Sequence, residues 1–299
     1  MGLFCGRNLG HGRLEAALAL GLLWGTLVAS GAEITCQVVA ADPTAGTLTL
    51  RGAGLTNPGA DGNQTVAVGA GDAAIGYVGQ TVRGDLHQSD STWRLDTIWP
   101  DDATTTSTLD ETTRRLRYEI TEMGRQSYRD IGDQIPSFVL YNQNGQLVRT
   151  SSLMGHPCVI DFIFTRCAQP TMCPATTLRM AQLQKALKLA KLNDVTLVTI
   201  TFDPLYDTPG VLRQYMQAYG IDSANFQFLT GPSDEITALM EEFGILTRTV
   251  DGVLQHTNAV LLVSPQGRIT YRNDTNLWTA QDLLEHLQRS AVATAAKAV

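Results

Sequence analysis

No extended basic patch stands out in the sequence, which carries an excess of negative charge. Its 22 lysine and arginine residues are outnumbered by 29 aspartate and glutamate residues, and the formal net charge is -7. Nucleic-acid-binding domains present a dense basic face, so no nucleic acid is expected as a partner. Beyond the N-terminus no apolar run is long enough to span a membrane, and no lipidation motif precedes Cys36. Membrane association is therefore expected only through an uncleaved N-terminal segment.

The first 32 residues have the pattern of an export signal. Arg7 and Arg13 precede an apolar run over residues 16–28, and small residues follow at 29–32. This order is typical of a signal peptide, with cleavage after Ala32. The alternative is a membrane anchor, but the run is shorter than the roughly 20 residues that a spanning helix needs. The protein is expected to be exported, either periplasmic or membrane-anchored facing the periplasm.

After this signal the sequence predicts two domains that are joined by a linker. Residues 33–100 contain short strand-like segments, including one over 75–86, with turn residues between them and no helix pattern. They predict a small all-β domain, either a barrel or a sandwich. Residues 103–113 are rich in Thr, Ser and Asp, and residues 101–127 are interpreted as a linker that leads into a short helix over 117–123.

Residues 128–299 alternate between strand and helix patterns. Two apolar runs predict buried strands, and each is followed by a helix that begins near a proline. The strands are expected over residues 159–164 and 195–202, with the prolines at 174 and 209. Turns at 142–145 and 265–267 predict hairpins. This order predicts an α/β domain with a mixed central sheet and helices on both faces.

Two cysteines lie where the first buried strand passes into its helix. Cys167 and Cys173 are separated by five residues, and Pro174 follows directly. Thioredoxin-like proteins keep their reactive thiols at such a position. Cys173 is expected at the helix N-cap, where the positive end of the helix dipole would favour its thiolate. A structural disulfide is the alternative in an exported protein, but closing so short a loop adds little stability.

One histidine further along the chain is a candidate third ligand. His256 precedes the apolar strand over residues 259–263, so it is expected in a loop or at a strand edge. Two thiolates and one imidazole form a soft, low-coordinate site that suits Cu(I), and zinc also uses this donor set. The alternative is that His256 is an ordinary surface residue. Met172 offers a thioether near the site, or it only packs in the loop.

Two aspartates follow the second buried strand. Asp203 and Asp207 lie at the carboxyl edge of the predicted sheet, where ligands of open α/β folds bind. Asp207 is expected to cap the next helix, a role that Thr208 could also fill, and Asp203 is expected to face the cysteine loop. Arg166 would stabilise a thiolate or contact a partner, and Cys158 is expected in the core.

Taken together, these motifs resemble the Sco/SenC family, the thioredoxin-fold copper chaperones of cytochrome c oxidase assembly. The resemblance covers about residues 128–288. It rests on G-D-x-x-P-x-F at 132–138, F-T-R-C and C-P within 164–174, D-P-x-x-D-T-P at 203–209, and His256 shortly before A-V-L-L-V-S-P-Q-G. It implies that Cys167, Cys173 and His256 bind one copper ion per chain, and that the two cysteines also cycle between dithiol and disulfide. The implied partners are a cytochrome c oxidase subunit with a copper centre and a thiol reductant protein.

The cysteine spacing departs from the family pattern. The family usually has three residues between its cysteines, and this chain has five. The longer loop is expected to retune copper affinity or reduction potential, or to mark a shift towards thiol exchange. The alternative function is therefore a thiol–disulfide oxidoreductase that acts on partner cysteines and does not need His256. A peroxide-reducing enzyme is a weaker third hypothesis, because Thr165 before Cys167 does not match the usual peroxidatic spacing.

Overall fold

The structure is a computed structural model that describes residues 31–124, 127–250, 253–275 and 277–297. Nearly all of the predicted export signal lies outside the described residues. Among the helices of the described part, none is long and apolar enough to cross a membrane. From Gly31 onward the chain forms one compact unit, which contains a five-stranded barrel and a seven-stranded sheet.

The first five strands close into a barrel in the order β1-β2-β3-β5-β4. They are β1 (Ala32–Asp42), β2 (Thr47–Arg51), β3 (Asn63–Ala67), β4 (Thr81–Ser89) and β5 (Thr92–Pro100). Alternate side chains point inward, as strand geometry requires. In β1, for example, Ile34, Cys36 and Val38 are buried, whereas Thr35 and Gln37 are exposed.

A short helix, α1 (Ala70–Ile75), lies between β3 and β4. The expectation of an all-β unit without a helix, with a strand starting at residue 75, is therefore wrong. The buried residues of α1 are Gly71, Asp72 and Ala73. Because these are small or polar rather than apolar at helical spacing, the hydrophobic pattern gave no sign of a helix.

The segment after the barrel is a long helix, α2 (Ala103–Met123), and not the predicted linker with a short helix at 117–123. Asp102 caps it by accepting a hydrogen bond from the Thr105 amide at 2.9 Å. Several threonine hydroxyls in the helix donate to the carbonyl oxygen four residues earlier. These hydroxyls are therefore satisfied within the helix and do not draw the backbone into a non-helical conformation. Leu109 and Leu116 are buried, and α2 packs against a later helix, α5 (Ser233–Glu242).

A mixed sheet forms the larger part of the molecule, in the order β14-β13-β8-β9-β10-β6-β7. Its strands are β6 (Val139–Asn142), β7 (Leu147–Arg149), β8 (Cys158–Ile163), β9 (Thr196–Thr201), β10 (Phe226–Thr230), β13 (Val260–Val263) and β14 (Ile269–Asn273). The central strands β8, β9 and β10 run parallel, and the flanking pairs are antiparallel. The predicted mixed sheet and both hairpins are confirmed.

Helices and one small hairpin complete this part. The remaining helices are α3 (Cys173–Leu189), α4 (Pro209–Ala218) and α6 (Ala280–Lys297). A separate hairpin consists of β11 (Thr247–Val250) and β12 (Val253–His256). Because β8 and β9 are parallel neighbours, their carboxyl ends lie side by side at one edge of the sheet. This edge carries the cysteine loop after β8 and the two aspartates after β9.

Candidate metal centre

The cysteine loop connects β8 to α3. Cys167 lies within the loop, whereas Cys173 is the first residue of α3 and Met172 is the N-cap. Cys173 is only 2% exposed, and burial raises the pKa of its thiol well above the usual value, with Cys167 adding to the increase. The expectation that Cys173 is the N-cap, with its thiolate favoured by the helix dipole, is therefore wrong. Loss of contact with water outweighs the dipole at this position.

Three side chains from separate elements converge at the end of β8. The sulfur atoms of Cys167 and Cys173 and a ring nitrogen of His256 all lie within 4.8 Å of one another. Cys173 Sγ is 3.6 Å from His256 Nε2. Cys167 is half-buried, and both cysteines are free thiols. The five-residue spacer thus does not prevent the two sulfur atoms from reaching the same small volume.

His256 is oriented as a ligand by its surroundings. It ends β12, and its Nδ1 lies 2.7 Å from the carbonyl oxygen of Thr257. This contact requires the proton on Nδ1, which leaves the lone pair of Nε2 directed towards Cys173. The rings of Phe202 and Phe164 lie 4.5 and 5.8 Å from the imidazole. Burial between them lowers the pKa of His256, which favours the neutral imidazole that binds metal ions.

Asp203 faces the cysteine loop, as predicted, but it binds an arginine there. Its Oδ2 accepts hydrogen bonds from Arg166 Nη2 at 2.6 Å and from Nε at 3.0 Å. The Arg166 guanidinium also lies 4.5 Å above the centre of the Tyr206 ring. Asp203 does not belong to the group of converging donor atoms. The Asp203 carboxylate therefore holds Arg166, next to Cys167, against the β9–α4 segment.

Asp207 does not cap α4, contrary to expectation. Thr208 is the N-cap and its hydroxyl accepts from the Val211 amide. Asp207 is instead fully buried and accepts hydrogen bonds from the Thr165 amide at 3.1 Å and from the hydroxyls of Thr165 and Thr201. Burial raises the pKa of Asp207 to about 6 even though these hydrogen bonds oppose the increase. Asp207 thus anchors the cysteine loop two residues before Cys167.

The sequence did not identify several residues that build this site. Phe164 and Phe202 enclose the imidazole, Thr257 fixes its tautomer, and Thr165 ties the loop to Asp207. Phe164 and Thr165 lie in the F-T-R-C motif, but the sequence does not indicate these contacts, because all except that of Thr257 join segments that are distant along the chain. Cys158 is fully buried in the core, as expected.

The donor set fits a soft monovalent metal ion. Two thiol sulfurs and one imidazole nitrogen provide soft ligands in a number that suits Cu(I). The residues of the described chain offer no other such group of three. Thiols at the carboxyl end of a central strand, followed by a helix, define a protein of the thioredoxin-like class.

Comparison with known proteins identifies the family. The SCO1/SenC family model matches residues 127–291, and the chain belongs to this family. A SCO1 protein homolog of Bacillus subtilis (strain 168) is 33% identical over 150 residues, which cover 49% of this chain and 76% of that protein. A candidate copper-binding protein of Stutzerimonas stutzeri is 34% identical over 140 residues, or 45% of this chain and 66% of that protein.

A solved structure supports the same assignment for the fold. The SCO1/SenC family lipoprotein from Bacillus anthracis str. Ames is 29% identical and superposes with a TM-score of 0.50. The matched region covers 55% of this chain and 99% of that chain. The predicted thioredoxin-like fold is confirmed. The barrel lies outside the residues that the family model matches.

Proposed function

We propose that this protein is an exported copper metallochaperone that binds one Cu(I) ion through Cys167, Cys173 and His256. The observation that carries the proposal is the convergence of two thiol sulfurs and one correctly oriented imidazole nitrogen within 4.8 Å. This donor set is soft and low in number, as Cu(I) prefers. The relative described as a candidate copper-binding protein supports the choice of copper over zinc.

Binding and release follow from the burial of the ligands. Cys167 is half-buried and Cys173 is buried, so a partner reaches the site first from the Cys167 side. An incoming soft ligand can replace Cys167 on the metal while Cys173 and His256 still hold it. Ligand exchange of this kind transfers copper without releasing the free ion. The proposed acceptor is the cytochrome c oxidase subunit that carries a copper centre, since this is the role of the family that the chain resembles.

The same two cysteines are proposed to form a redox pair. Their sulfur atoms are within 4.8 Å, so a small shift of the loop suffices for a disulfide. A partner disulfide would oxidise the pair by thiol–disulfide exchange: it would take up the two electrons and two thiol protons as it is reduced to a dithiol, and both sulfur ligands would be lost. A thiol reductant protein would return the pair to the metal-binding state by exchange through a mixed disulfide.

The different exposure of the two cysteines supports a second candidate function, a thiol–disulfide oxidoreductase. The Cys167 thiolate would attack a partner disulfide, forming a mixed disulfide and releasing one partner thiolate. Cys173 would then attack Cys167, closing the internal disulfide and releasing the second partner thiolate. This reaction has no use for His256, yet His256 lies against Cys173. The copper function therefore explains more of the site.

A copper titration tests the proposal. Reduced protein is titrated anaerobically with Cu(I) against a competing chelator, together with Cys167→Ser, His256→Ala and the exposed control His156→Ala. We expect one tightly bound copper per chain in the wild type and in His156→Ala, with weaker binding in the other two variants. Equal affinity in His256→Ala would remove the histidine from the site. No competitive binding by the wild type, with a readily formed Cys167–Cys173 disulfide, would favour the oxidoreductase.

Export is proposed from the N-terminal sequence. Residues 1–32 would direct the chain to the periplasm and be cleaved after Ala32, or remain as an anchor. Fractionation of cells that express the full chain, followed by mass measurement of the mature N-terminus, distinguishes these outcomes. A mature chain that starts at Glu33 in the periplasm supports cleavage, whereas an intact N-terminus in the cytoplasm contradicts export.

A further inference from the structure

The barrel contacts the larger part of the molecule by a close approach of two glycines. Gly71 of α1 faces Gly210 of α4, and a methyl group at Gly71 would lie 2.7 Å from the carbonyl carbon of Gly210. A methyl group at Gly210 would overlap the Asp72 carboxylate. Side chains are thus excluded on both sides, which lets the two backbones touch. Any residue larger than glycine at position 71 must push α1 away from α4.

Buried polar contacts accompany this approach. Asp72 is 7% exposed and accepts a hydrogen bond at 3.1 Å from the hydroxyl of Tyr77, which is 1% exposed. The Asp72 carboxylate lies beside the first turn of α4, and burial there raises its pKa to about 7 although the hydrogen bond from Tyr77 opposes the increase. Arg213 of α4 donates to Asn144 in the turn between β6 and β7. The contact itself is fixed by shape, while these hydrogen bonds hold Asp72 on the barrel side and Arg213 on the α4 side.

An apolar contact joins the same parts of the chain. Trp99 at the end of β5 and Tyr141 in β6 lie with ring centroids 5.9 Å apart, and Leu109 of α2 packs in the same buried cluster. The hydroxyl of Tyr141 donates to the carbonyl of Pro100 at 3.2 Å. The barrel, α2 and the seven-stranded sheet thus each contribute side chains to one small buried cluster, which packs the barrel against the sheet.

A short path of buried contacts leads from this junction to the cysteines. Gly210 is the second residue of α4, and Thr208 caps the same helix. Asp207 directly precedes that cap and accepts the three hydrogen bonds from Thr165 and Thr201. Thr165 is two residues before Cys167. The position of the α4 N-terminus therefore sets the position of the Asp207 carboxylate, which in turn holds the loop that carries Cys167.

We propose that the barrel is a brace for the metal centre. By seating α1 against the start of α4, it fixes the β9–α4 segment and so keeps the cysteine loop in the geometry in which both sulfurs meet His256. Gly71, Asp72 and Tyr77 are positioning residues for a site that they do not touch. Such coupling is reciprocal. If the α1–α4 contact raises the affinity for copper by a given factor, bound copper must raise the equilibrium constant for forming that contact by the same factor. The copper part of this inference rests on the proposed function, whereas the effect on the thiols does not.

The test uses the full chain and two different variants. Gly71→Ala forces α1 away from α4, and Tyr77→Phe removes only the hydrogen bond to Asp72. Gly59→Ala is the matched control, because Gly59 is exposed in a barrel loop and a methyl group there meets the flexible Asp61 carboxylate at 3.1 Å and the Asn63 carbonyl oxygen at an ordinary contact distance of 3.5 Å. Reduced, metal-free proteins are treated with an alkylating reagent, and the labelling rate of each cysteine is followed by peptide mass spectrometry. Cu(I) affinity is measured in parallel by chelator competition.

We expect Cys173 to be labelled at least about fivefold faster in Gly71→Ala and Tyr77→Phe, with Cu(I) affinity reduced by a similar factor. Cys158, which is 1% exposed in the sheet, reports global unfolding and should react at the wild-type rate in every variant. Wild-type labelling of Cys173 in both junction variants would overturn the brace, and so would equal acceleration of Cys158 and Cys173. Faster labelling of Cys173 alone in a protein whose wild type binds no copper would support the brace and refute the copper function.

Discussion

Asp207 allows a quantitative test of how the cysteine loop is anchored. Burial raises the pKa of this carboxyl from 3.8 to about 6 in the folded protein. The folded state therefore binds the proton more tightly than the unfolded state. The contribution of Asp207 to stability is fully present below pH 3.8 and is lost as the pH rises through about 6. At about 1.4 kcal/mol per pKa unit, the loss amounts to about 3 kcal/mol, of which roughly 2 kcal/mol fall between pH 4 and pH 7.

Asp207→Asn removes this dependence, because the amide cannot ionise yet can still accept a hydrogen bond from the Thr165 amide. We expect the free energy of unfolding of the wild type to fall by roughly 2 kcal/mol more than that of Asp207→Asn between pH 4 and pH 7. Urea unfolding across this range measures the difference. Asp234→Asn is the control, since the Asp234 side chain is largely exposed, and it should follow the wild-type slope.

Other buried carboxyls, such as Asp161 and Glu235, titrate in both proteins and cancel in the comparison. An identical pH slope in the wild type and Asp207→Asn would refute the reasoning. It would show that Asp207 is ionised at the same pH in the folded and unfolded chains, and therefore that burial does not raise its pKa.

Three further predictions concern copper and the packing of the helices. Because burial raises the pKa of the Cys173 thiol, Cu(I) binding must displace its proton, and any proton that Cys167 releases adds to this one. Affinity measured by chelator competition should therefore rise by at least about tenfold per pH unit, and a pH-independent affinity would contradict this. Leu116 is fully buried in α2, so Leu116→Ala should lower the free energy of unfolding in urea by about 2–5 kcal/mol. Tyr118 is exposed on the same helix, and Tyr118→Ala should change it by less than about 0.5 kcal/mol. Equally small effects of both substitutions would indicate that residues 103–123 form a linker and not a packed helix. Arg166→Ala should cost less than about 1 kcal/mol in thermal unfolding, because the arginine is half-exposed in its ion pair with Asp203, and a larger loss would indicate a structural role.

The α/β part of the fold could be predicted from the sequence, because its hydrophobic pattern matches the observed strands and helices. The buried parallel strands β8 and β9 are rich in apolar and β-branched residues, although β8 contains Asp161 and β9 contains three threonines, and prolines mark the starts of α3 and α4. The sequence did not predict α1 or the full length of α2, and the reasons are opposite. In α2 the threonine hydroxyls donate hydrogen bonds to backbone carbonyls of the same helix. A threonine-rich composition that is typical of linkers is therefore compatible with a helix. In α1 the buried face consists of small and polar residues because it meets another backbone.

The chemistry of the site was only partly predictable. The residue types of Cys167, Cys173 and His256 suggested a soft metal, and the structure brings these three together. The thiolate preference of Cys173 was wrong, because the sequence indicates where a helix begins but not how deeply its first side chain is buried. Asp207 was assigned to a helix cap for a similar reason. Of its actual partners, Thr165 lies in the loop that follows β8 and Thr201 ends β9, and these two segments are distant in sequence from each other.

X-ray absorption spectroscopy of the Cu(I)-loaded protein tests the central claim most directly, because it counts the ligand atoms by type. The proposed site predicts two sulfur ligands and one nitrogen ligand around a single copper, with the nitrogen lost in His256→Ala and one sulfur lost in Cys167→Ser. A spectrum with sulfur ligands only, unchanged in His256→Ala, would contradict the assignment of His256 and with it the three-ligand copper centre.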